Sequence, residues 1–456
     1  MLKINNLQRF CSSILGWKLG FYGLFCVILT LAPFGIFACG NDSHERQGKK
    51  NALPCADTVL FEPMQYSGMF RLGVSCGVDF AEIKSIVGRD TLTKRFAFVD
   101  SLKLSGRGLS LGQLVQGRGW KNAMILQVPL RRVVVLSSSQ IGYMLGLGVS
   151  NRIVGIGDAK YVVDSVLFLR ASSLASRASN LEPITELGNG SSLDYEKLIA
   201  LKPNLVMTFA TGGSEDDYAS LSALGIPVML TSEWQESHPL SKMEWIKLYG
   251  KMFCGVDSSG ICSHSADSVF EQSREKYENF ALSVQPMRGD SSLECVPTAP
   301  RVLAGMSYGG VWYAPGGRSY TAQLIRDAGG CYLFASDTSR ELKLSLEDVF
   351  LLSDRADVWI NPGAFSRPKD LLAVDPRVKK IRAFREKRVF QNDGVLGPGG
   401  GNDFYESAVV KPYELLENLS KCLKNGREMC ESAKKCVKNE YLKDTSYMWY
   451  KNIFNF

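Results

Sequence analysis

Two segments of this chain, one in its middle and one nearer its C terminus, follow the same pattern. The first runs Ser192-Leu-Asp-Tyr-Glu-Lys-Leu-Ile-Ala-Leu-Lys-Pro-Asn-Leu-Val-Met207, and the second Ser345-Leu-Glu-Asp-Val-Phe-Leu-Leu-Ser-Asp-Arg-Ala-Asp-Val-Trp-Ile360. Each opens with serine and carboxylates, continues as an apolar stripe and ends in a short apolar run. This pattern predicts a capped amphipathic helix that leads into a buried strand. Its repetition in a chain of 456 residues predicts two similar lobes with a cleft between them.

The first 38 residues differ from the rest of the chain. They contain basic residues and no acidic one, and residues 19–38 are almost entirely apolar up to a small residue before Cys39. This order predicts a lipoprotein signal peptide at residues 1–38, with Cys39 as the lipidated N terminus that inserts into the bilayer. An uncleaved transmembrane anchor is the alternative, because about 20 apolar residues can span a bilayer. Both interpretations place the remaining chain in the cell envelope, outside the cytoplasm.

Changes of pattern divide the rest of the chain into five regions. Polar residues 39–55 predict a tether, and short strand-like runs in residues 56–130 predict a small β-rich extension. Apolar runs alternate with helical patterns in residues 131–262, which predicts an α/β lobe built on a parallel sheet. A long polar helical pattern makes residues 263–299 an interlobe helix and linker. The α/β pattern restarts in residues 300–456 as a second lobe.

Composition limits the function classes. The formal net charge of +7 comes without a dense Lys/Arg patch with interleaved aromatic residues, so nucleic acid is not an expected partner. The chain has three histidines and no Cys-x-x-Cys pair, so a zinc cluster is not expected either.

The cysteines left after signal-peptide removal and lipidation of Cys39 are odd in number, so at least one stays unpaired or pairs between chains. An oxidising compartment would favour local pairs. The local candidates are Cys254 with Cys262, and two of Cys422, Cys430 and Cys436. Buried thiols that pack as small hydrophobic groups are the alternative.

Several motifs between residues 130 and 425 identify a family. They are Arg132-Val-Val-Val-Leu-Ser-Ser-Ser139, Asn151-Arg-Ile-Val-Gly-Ile156, Asp194-Tyr-Glu-Lys-Leu-Ile-Ala-Leu-Lys-Pro-Asn-Leu-Val206, Leu224-Gly-Ile-Pro-Val228, Ser319-Tyr-Thr-Ala-Gln-Leu-Ile-Arg-Asp-Ala-Gly-Gly330 and Ser345-Leu-Glu-Asp-Val349. With them the chain resembles the class III substrate-binding proteins of ABC importers, which serve iron–siderophore complexes, haem and cobalamin. Two further stretches, starting at Ser237 and Gly399, look like a branch common in Bacteroidetes-type lipoproteins.

The resemblance implies a fold and two partners. The fold is α/β, with two Rossmann-like lobes joined by a single long helix. The partners are a small-molecule metal chelate, haem or corrinoid, and an ABC permease in the inner membrane. In the family one surface glutamate per lobe meets arginines of the permease, and Glu196 and Glu347 occupy these positions. Capping of their own helices is the alternative role for both.

The ligand is expected between the lobes, outside the carboxyl ends of the strands. Flat aromatic faces suit a planar or ringed chelate, whereas burial in the core is the alternative for each aromatic. Arg318 follows three residues of Pro and Gly and would hold a carboxylate, unless it is solvated. Asn402 and Asp403 follow a glycine run that brings backbone close to a ligand, or else they cap a helix. The predicted ligand-binding residues are Ser138, Ser139, Tyr161, Trp234, Trp312, Tyr313, Arg318, Asn402 and Asp403.

The sequence predicts a binding protein and not an enzyme. Ser137-Ser-Ser-Gln140 invites a nucleophile hypothesis, but no Gly-x-Ser-x-Gly elbow surrounds it, and His238 or His264 would have to be the base. No resident cofactor or protein metal ligand is expected, because the metal arrives inside its chelate. The alternatives are an envelope lipoprotein that uses the fold to bind proteins and, less favoured, a periplasmic hydrolase.

Overall fold

The computed structural model describes residues 59–100, 120, 122–172, 182–214, 216–254, 265–284, 298–424 and 448–455. All of them belong to one unit, residues 52–456. The predicted signal peptide, Cys39 and the tether lie outside the described residues. Within the described part of the chain, no helix has both the length and the apolar composition that a membrane span requires.

The N-terminal extension is a five-stranded sheet whose strands follow one another in chain order. Strands β1 to β4 are antiparallel and β5 runs parallel to β4. Alternate residues of β4 face opposite ways: Phe96 and Phe98 pack into the core of the following lobe, whereas Val99 packs with Trp120. The strands are β1 Leu60–Glu62, β2 Phe70–Ser75, β3 Val78–Val87, β4 Asp90–Asp100 and β5 Met124–Val128.

The extension is tied to the following lobe by a buried carboxylate. Glu244 is fully buried and accepts hydrogen bonds from the backbone N–H groups of Gln65, Tyr66 and Ser67, each at 2.9 Å. A buried carboxylate with three donors is stable only while all of them stay in place. The extension and the first lobe therefore share one folded body.

The first lobe is a parallel sheet in the order β10-β9-β6-β7-β8. Strands β6 and β9 are buried along their whole length, which explains their continuous apolar sequences. The strands are β6 Val133–Val135, β7 Ile153–Ile156, β8 Thr185–Glu186, β9 Leu205–Thr208 and β10 Val228–Leu230. The helices are α1 Ser138–Gly146, α2 Ser165–Ala171, α3 Tyr195–Leu201, α4 Tyr218–Ala223, α5 Pro239–Glu244 and α6 Ile246–Phe253.

The second lobe has a sheet in the order β14-β11-β16-β17-β18, parallel except for β18. A small antiparallel sheet, β12-β13-β15, is inserted after its first strand. The strands are β11 Arg301–Ala304, β12 Met306–Tyr308, β13 Val311–Pro315, β14 Cys331–Tyr332, β15 Glu341–Ser345, β16 Val358–Ile360, β17 Val389–Gln391 and β18 Lys451–Asn452. The interlobe helix is α7, Ala266–Val284, and the helices of the second lobe are α8 Tyr320–Asp327, α9 Leu346–Ser353, α10 Pro368–Val374, α11 Arg382–Arg385 and α12 Pro412–Lys424.

Helix α7, Ala266–Val284, runs for 19 residues between the lobes. Phe270 packs into the core of the first lobe, whereas Tyr277 and Ala281 pack into the core of the second. The Tyr277 hydroxyl also donates to Asp327 Oδ2 of α8 at 2.7 Å. Because one continuous helix packs into both cores, it is expected to resist large changes of lobe orientation.

The two parallel sheets confirm the predicted fold class, α/β with two Rossmann-like lobes. The repeated segments form equivalent units: α3 leads into β9, and α9 leads into β16. Both helices are capped, as the sequence predicted: Asp194 accepts from the N–H of Lys197 at 2.9 Å and Ser345 from that of Asp348 at 3.1 Å.

Three of the described cysteines, Cys76, Cys254 and Cys331, are disulfide-bonded. This is the state that an oxidising compartment favours. Cys422, another member of the predicted local pairs, is described and buried. Cys262, Cys430 and Cys436 lie outside the described residues.

Candidate functional site

Both sheets have a point at which the strand order reverses. In the first lobe it lies between β6 and β9, and in the second between β11 and β16. At such a point the connections leave to opposite faces of the sheet and open a crevice at the carboxyl ends of the strands. The two crevices are the places where this fold binds ligands.

A cavity of about 340 Å³ lies at the crevice of the first lobe. Its walls come from the carboxyl ends of β6, β7 and β9 and from the loops that follow β7 and β8. They are mainly apolar, with a few polar groups, as in small-molecule sites. The lining residues are Val135, Leu136, Ser137, Ser138, Ile141, Ile156, Gly157, Asp158, Tyr161, Val162, Asn189 and Phe209.

The structure separates the two serines predicted to bind ligand. Ser138 lines the cavity, and its Oγ donates to the carbonyl of Tyr161 at 3.3 Å. Ser139 is buried, and its Oγ donates to Oε1 of the buried Glu233. Ser139 therefore belongs to the packing beneath the cavity, which corrects its prediction as a ligand contact.

Tyr161 lines the cavity and is 52% exposed. A glycine-rich loop of the second lobe supports its segment from behind. A Cβ on Gly399 would lie 2.7 Å from Lys160 Cα, and one on Gly401 would lie 2.4 Å from the Tyr161 carbonyl oxygen. The sequence interpretation predicted that these glycines bring backbone close to a ligand. In the structure they allow a close approach of the loop to Lys160 and Tyr161 in the cavity wall.

Asn402 and Asp403 have structural roles. Asn402 caps a short 3₁₀ turn by accepting from the N–H of Phe404 at 3.0 Å. Asp403 is buried and accepts from the indole N–H of Trp449 at 2.9 Å and from the N–H of Ser407 at 3.1 Å. The burial of Asp403 corrects its prediction as a ligand contact. Asn402 is half-buried and takes the alternative role of a cap, and its ligand contact stays a prediction.

The other three aromatic residues predicted to contact the ligand differ in their exposure. Trp234 is 44% exposed on the turn after β10, although it does not line the cavity. Trp312 is 0% exposed, and its indole N–H donates to the Ala304 carbonyl at 3.2 Å, so its prediction as a ligand contact is wrong. Tyr313, the next residue on β13, is exposed with Lys343 Nζ 5.7 Å from its ring centre. Alternation along one strand separates the two side chains.

The second lobe also carries two exposed arginines near the cleft. Arg318 lies between β13 and α8, and its N–H donates to the Ser339 carbonyl at 3.1 Å. Arg340 lies on the facing segment and reaches the first lobe, where its Nη1 donates to the Gln235 carbonyl at 3.1 Å. The sequence predicted Arg318, for which a ligand contact stays a prediction, and missed Arg340, because a single arginine in a loop has no distinguishing pattern.

Glu406 is a second residue that the sequence interpretation missed. It is 1% exposed and accepts from the N–H groups of Val163 at 2.9 Å and Asp164 at 2.8 Å. Burial raises the pKa of this carboxyl to about 7; the two N–H donors oppose the shift, while Asp403 and Asp164 add to it. Glu406 therefore holds the segment between β17 and α12 of the second lobe against the segment that carries Tyr161.

Glu196 and Glu347 are both exposed in the first turn of their helices. A helix that leads into a parallel strand runs against it, so its N terminus lies at the carboxyl-end edge of the sheet. Each glutamate therefore lies on the cleft side of its own lobe. Their docking role stays a prediction.

The hydrolase alternative finds no catalytic arrangement at these serines. Ser137 Oγ lies 2.9 Å from Ser139 Oγ. His238 caps α5, because its Nδ1 accepts from the N–H of Leu240 at 3.0 Å, and burial lowers its pKa. His264 lies outside the described residues. Among the residues that the structure describes, no group of three or more His, Cys, Asp or Glu side chains is placed to hold a metal ion.

Comparisons with known proteins give distant similarities, and no family model matches the chain. An uncharacterized lipoprotein of Methanocaldococcus jannaschii is 21% identical over 306 residues, which cover 66% of this chain and 67% of the relative. An uncharacterized protein of the same organism is 25% identical over 304 residues, covering 65% of this chain and 83% of the relative.

Similar solved structures are periplasmic binding proteins. One is a vitamin B12-binding protein from Vibrio cholerae (14% identity, 66% of this chain and 99% of that chain, TM-score 0.41). Others are a haem-binding protein from Pseudomonas aeruginosa (18%, 64% and 92%, 0.43) and a possible iron-binding protein from Staphylococcus epidermidis (13%, 65% and 100%, 0.44). Similarities this distant do not assign a function, which has to be inferred from the geometry of this chain's own cleft.

Proposed function

We propose that this chain is a substrate-binding protein of an ABC importer, of the class III family. It is anchored in the envelope through a lipid on Cys39, binds an iron chelate, haem or corrinoid in the cleft, and delivers it to an inner-membrane permease. The sequence motifs described above support the class, and the lipoprotein among the relatives supports the anchor.

The placement of the exposed aromatic residues carries this proposal. Six aromatic side chains are exposed among the described residues. Four lie in the segments that follow β7, β9, β10 and β17 at their carboxyl ends, and two lie in the small sheet that is inserted after β11. Flat aromatic rings suit a planar or ringed metal chelate. The six are Tyr161, Phe209 and Trp234 in the first lobe and Tyr308, Tyr313 and Tyr405 in the second.

Trp234 provides a direct test. The other described tryptophans are buried, and Trp17 belongs to the predicted signal peptide. Acrylamide should therefore quench Trp234 selectively. Haemin, cyanocobalamin and a ferric tris-catecholate chelate are the probes to titrate. The probe that belongs to the correct ligand class is expected to protect Trp234 from quenching by acrylamide. Trp234→Phe removes the quenchable component and serves as the control; unchanged quenching with all three probes would contradict the proposal.

Replacing Tyr161 by alanine is expected to weaken ligand binding. An aromatic contact contributes about 0.5–1.5 kcal/mol beyond the area that it buries, so the affinity should fall about tenfold. Isothermal titration calorimetry measures the change. Leu282→Ala is the matched control, since Leu282 is an exposed apolar side chain on α7. The ligand affinity of this variant should equal that of the wild type.

A further inference from the structure

The N-terminal extension packs on the ligand side of the first lobe. The turn between β3 and β4 contains Gly88, which lies against Gly212 in the loop after β9. Gly212 has a φ of +86°, and a Cβ there would lie 2.3 Å from the Gly88 nitrogen. This close backbone contact places the turn beside the carboxyl end of β9, where the crevice opens.

The next loop of the same edge, after β10, is bound to the extension by side-chain hydrogen bonds. The amide of Gln235 pairs with both backbone groups of Ile86: its Oε1 accepts from the N–H at 2.9 Å, and its Nε2 donates to the carbonyl at 2.6 Å. Ser232 Oγ donates to the Lys84 carbonyl at 2.5 Å. The pairing of β3 with β2 ends at Ile83, and beyond that point Gln235 takes the place of β2 beside Ile86.

Gln235 also meets the second lobe. Its side chain is bound to the extension, while its carbonyl accepts from Arg340 Nη1 at 3.1 Å. Its own N–H donates to the Ser232 carbonyl at 3.0 Å and closes the turn that carries Trp234. Gln235 is 7% exposed, so replacing these bonds with water requires the turn to open.

We propose that Gln235 is a positioning residue for Trp234, and that the N-terminal extension is thereby a working part of the ligand cleft. The extension holds the turn after β10 through Ile86 and Lys84, and the turn presents the Trp234 ring to the cleft. This inference rests on the proposed function for its ligand, but the positioning of Trp234 is a property of the ligand-free protein as well.

Gln235→Ala in the whole chain tests this inference. In the ligand-free protein it should lower the fluorescence anisotropy of the acrylamide-quenchable emission, because the Trp234 ring gains freedom. Binding of the probe that protects Trp234 in the wild type should weaken about tenfold, the effect of one or two lost buried hydrogen bonds. Ser232→Ala removes the neighbouring bond to the extension and should shift both measurements in the same direction.

Asn418→Ala is the matched control. Asn418 is also a buried amide bound to backbone, accepting from the N–H of Tyr450 at 2.8 Å, but it lies on α12. It should lower the thermal midpoint to a similar extent and leave both Trp234 measurements unchanged. Wild-type anisotropy and affinity in Gln235→Ala would overturn the inference. Reduced anisotropy without protection by any probe in the wild type would support the positioning role and refute the proposed ligand classes.

Discussion

Reversing the charges of Glu196 and Glu347 together, as Glu196→Lys with Glu347→Lys, is expected to reduce uptake of the ligand about 100-fold. Each glutamate is proposed to face an arginine of the permease, and a close interfacial charge pair contributes about 1.5 kcal/mol or more, so two reversed pairs multiply to about this factor. Each single reversal should cost about tenfold. The measurement is uptake, by intact cells carrying the variant chain, of the probe that protects Trp234.

Ligand affinity should remain that of the wild type in these variants, because both glutamates are exposed and neither lines the cavity. Glu62→Lys with Glu275→Lys is the matched control: it makes the same change in net charge at two other exposed carboxylates. Normal uptake with the double reversal would leave Glu196 and Glu347 only as anions that stabilise the first turns of helices capped by Asp194 and Ser345. Equal losses in the control would indicate a general charge effect instead of docking.

Glu406→Gln is expected to change how stability depends on pH. Burial raises the pKa of Glu406 from 4.5 to about 7, so the folded protein binds a proton that the unfolded chain releases. The stability from this group is complete below pH 4.5 and is lost as the pH rises through 7. At about 1.4 kcal/mol per pKa unit, the loss is about 3 kcal/mol.

The quantity to measure is the difference in free energy of unfolding between the wild type and Glu406→Gln, from denaturant titrations at pH values between 4 and 8. As the pH rises over this range, the wild type should lose about 3 kcal/mol of stability relative to Glu406→Gln. Other titrating groups cancel in the subtraction. Glu275→Gln, which neutralises an exposed carboxylate on α7, should give a flat difference, and a flat difference for Glu406→Gln would show that its carboxyl is not perturbed.

Local patterns predicted the fold because they describe local structure. The cap and apolar stripe at residues 192–207 specify a helix and a buried strand from neighbours within the same segment. The same holds for residues 345–360, and the two parallel sheets follow from the alternation of helices and strands. The long polar pattern before Val284 became α7, whose two ends pack into different cores.

The candidate site was less predictable, because exposure depends on distant contacts. Trp312 and Tyr313 are adjacent aromatic residues, yet one lies in the core and the other is exposed. The glycines before Asn402 match a ligand loop in sequence, but their close approach is to Lys160 and Tyr161. No local pattern distinguishes these outcomes, since the same residue types serve both.

The sequence by itself determined the helices, the strands and the division into two lobes, because caps, apolar periodicity and turn residues act between near neighbours. Only the tertiary structure decided which side chains form the cleft. Glu406 binds Val163 across 243 residues, and Gln235 binds Ile86 across 149. Such contacts exist only once the lobes and the extension have packed, since burial and hydrogen-bond partners belong to the folded surface and not to the segment.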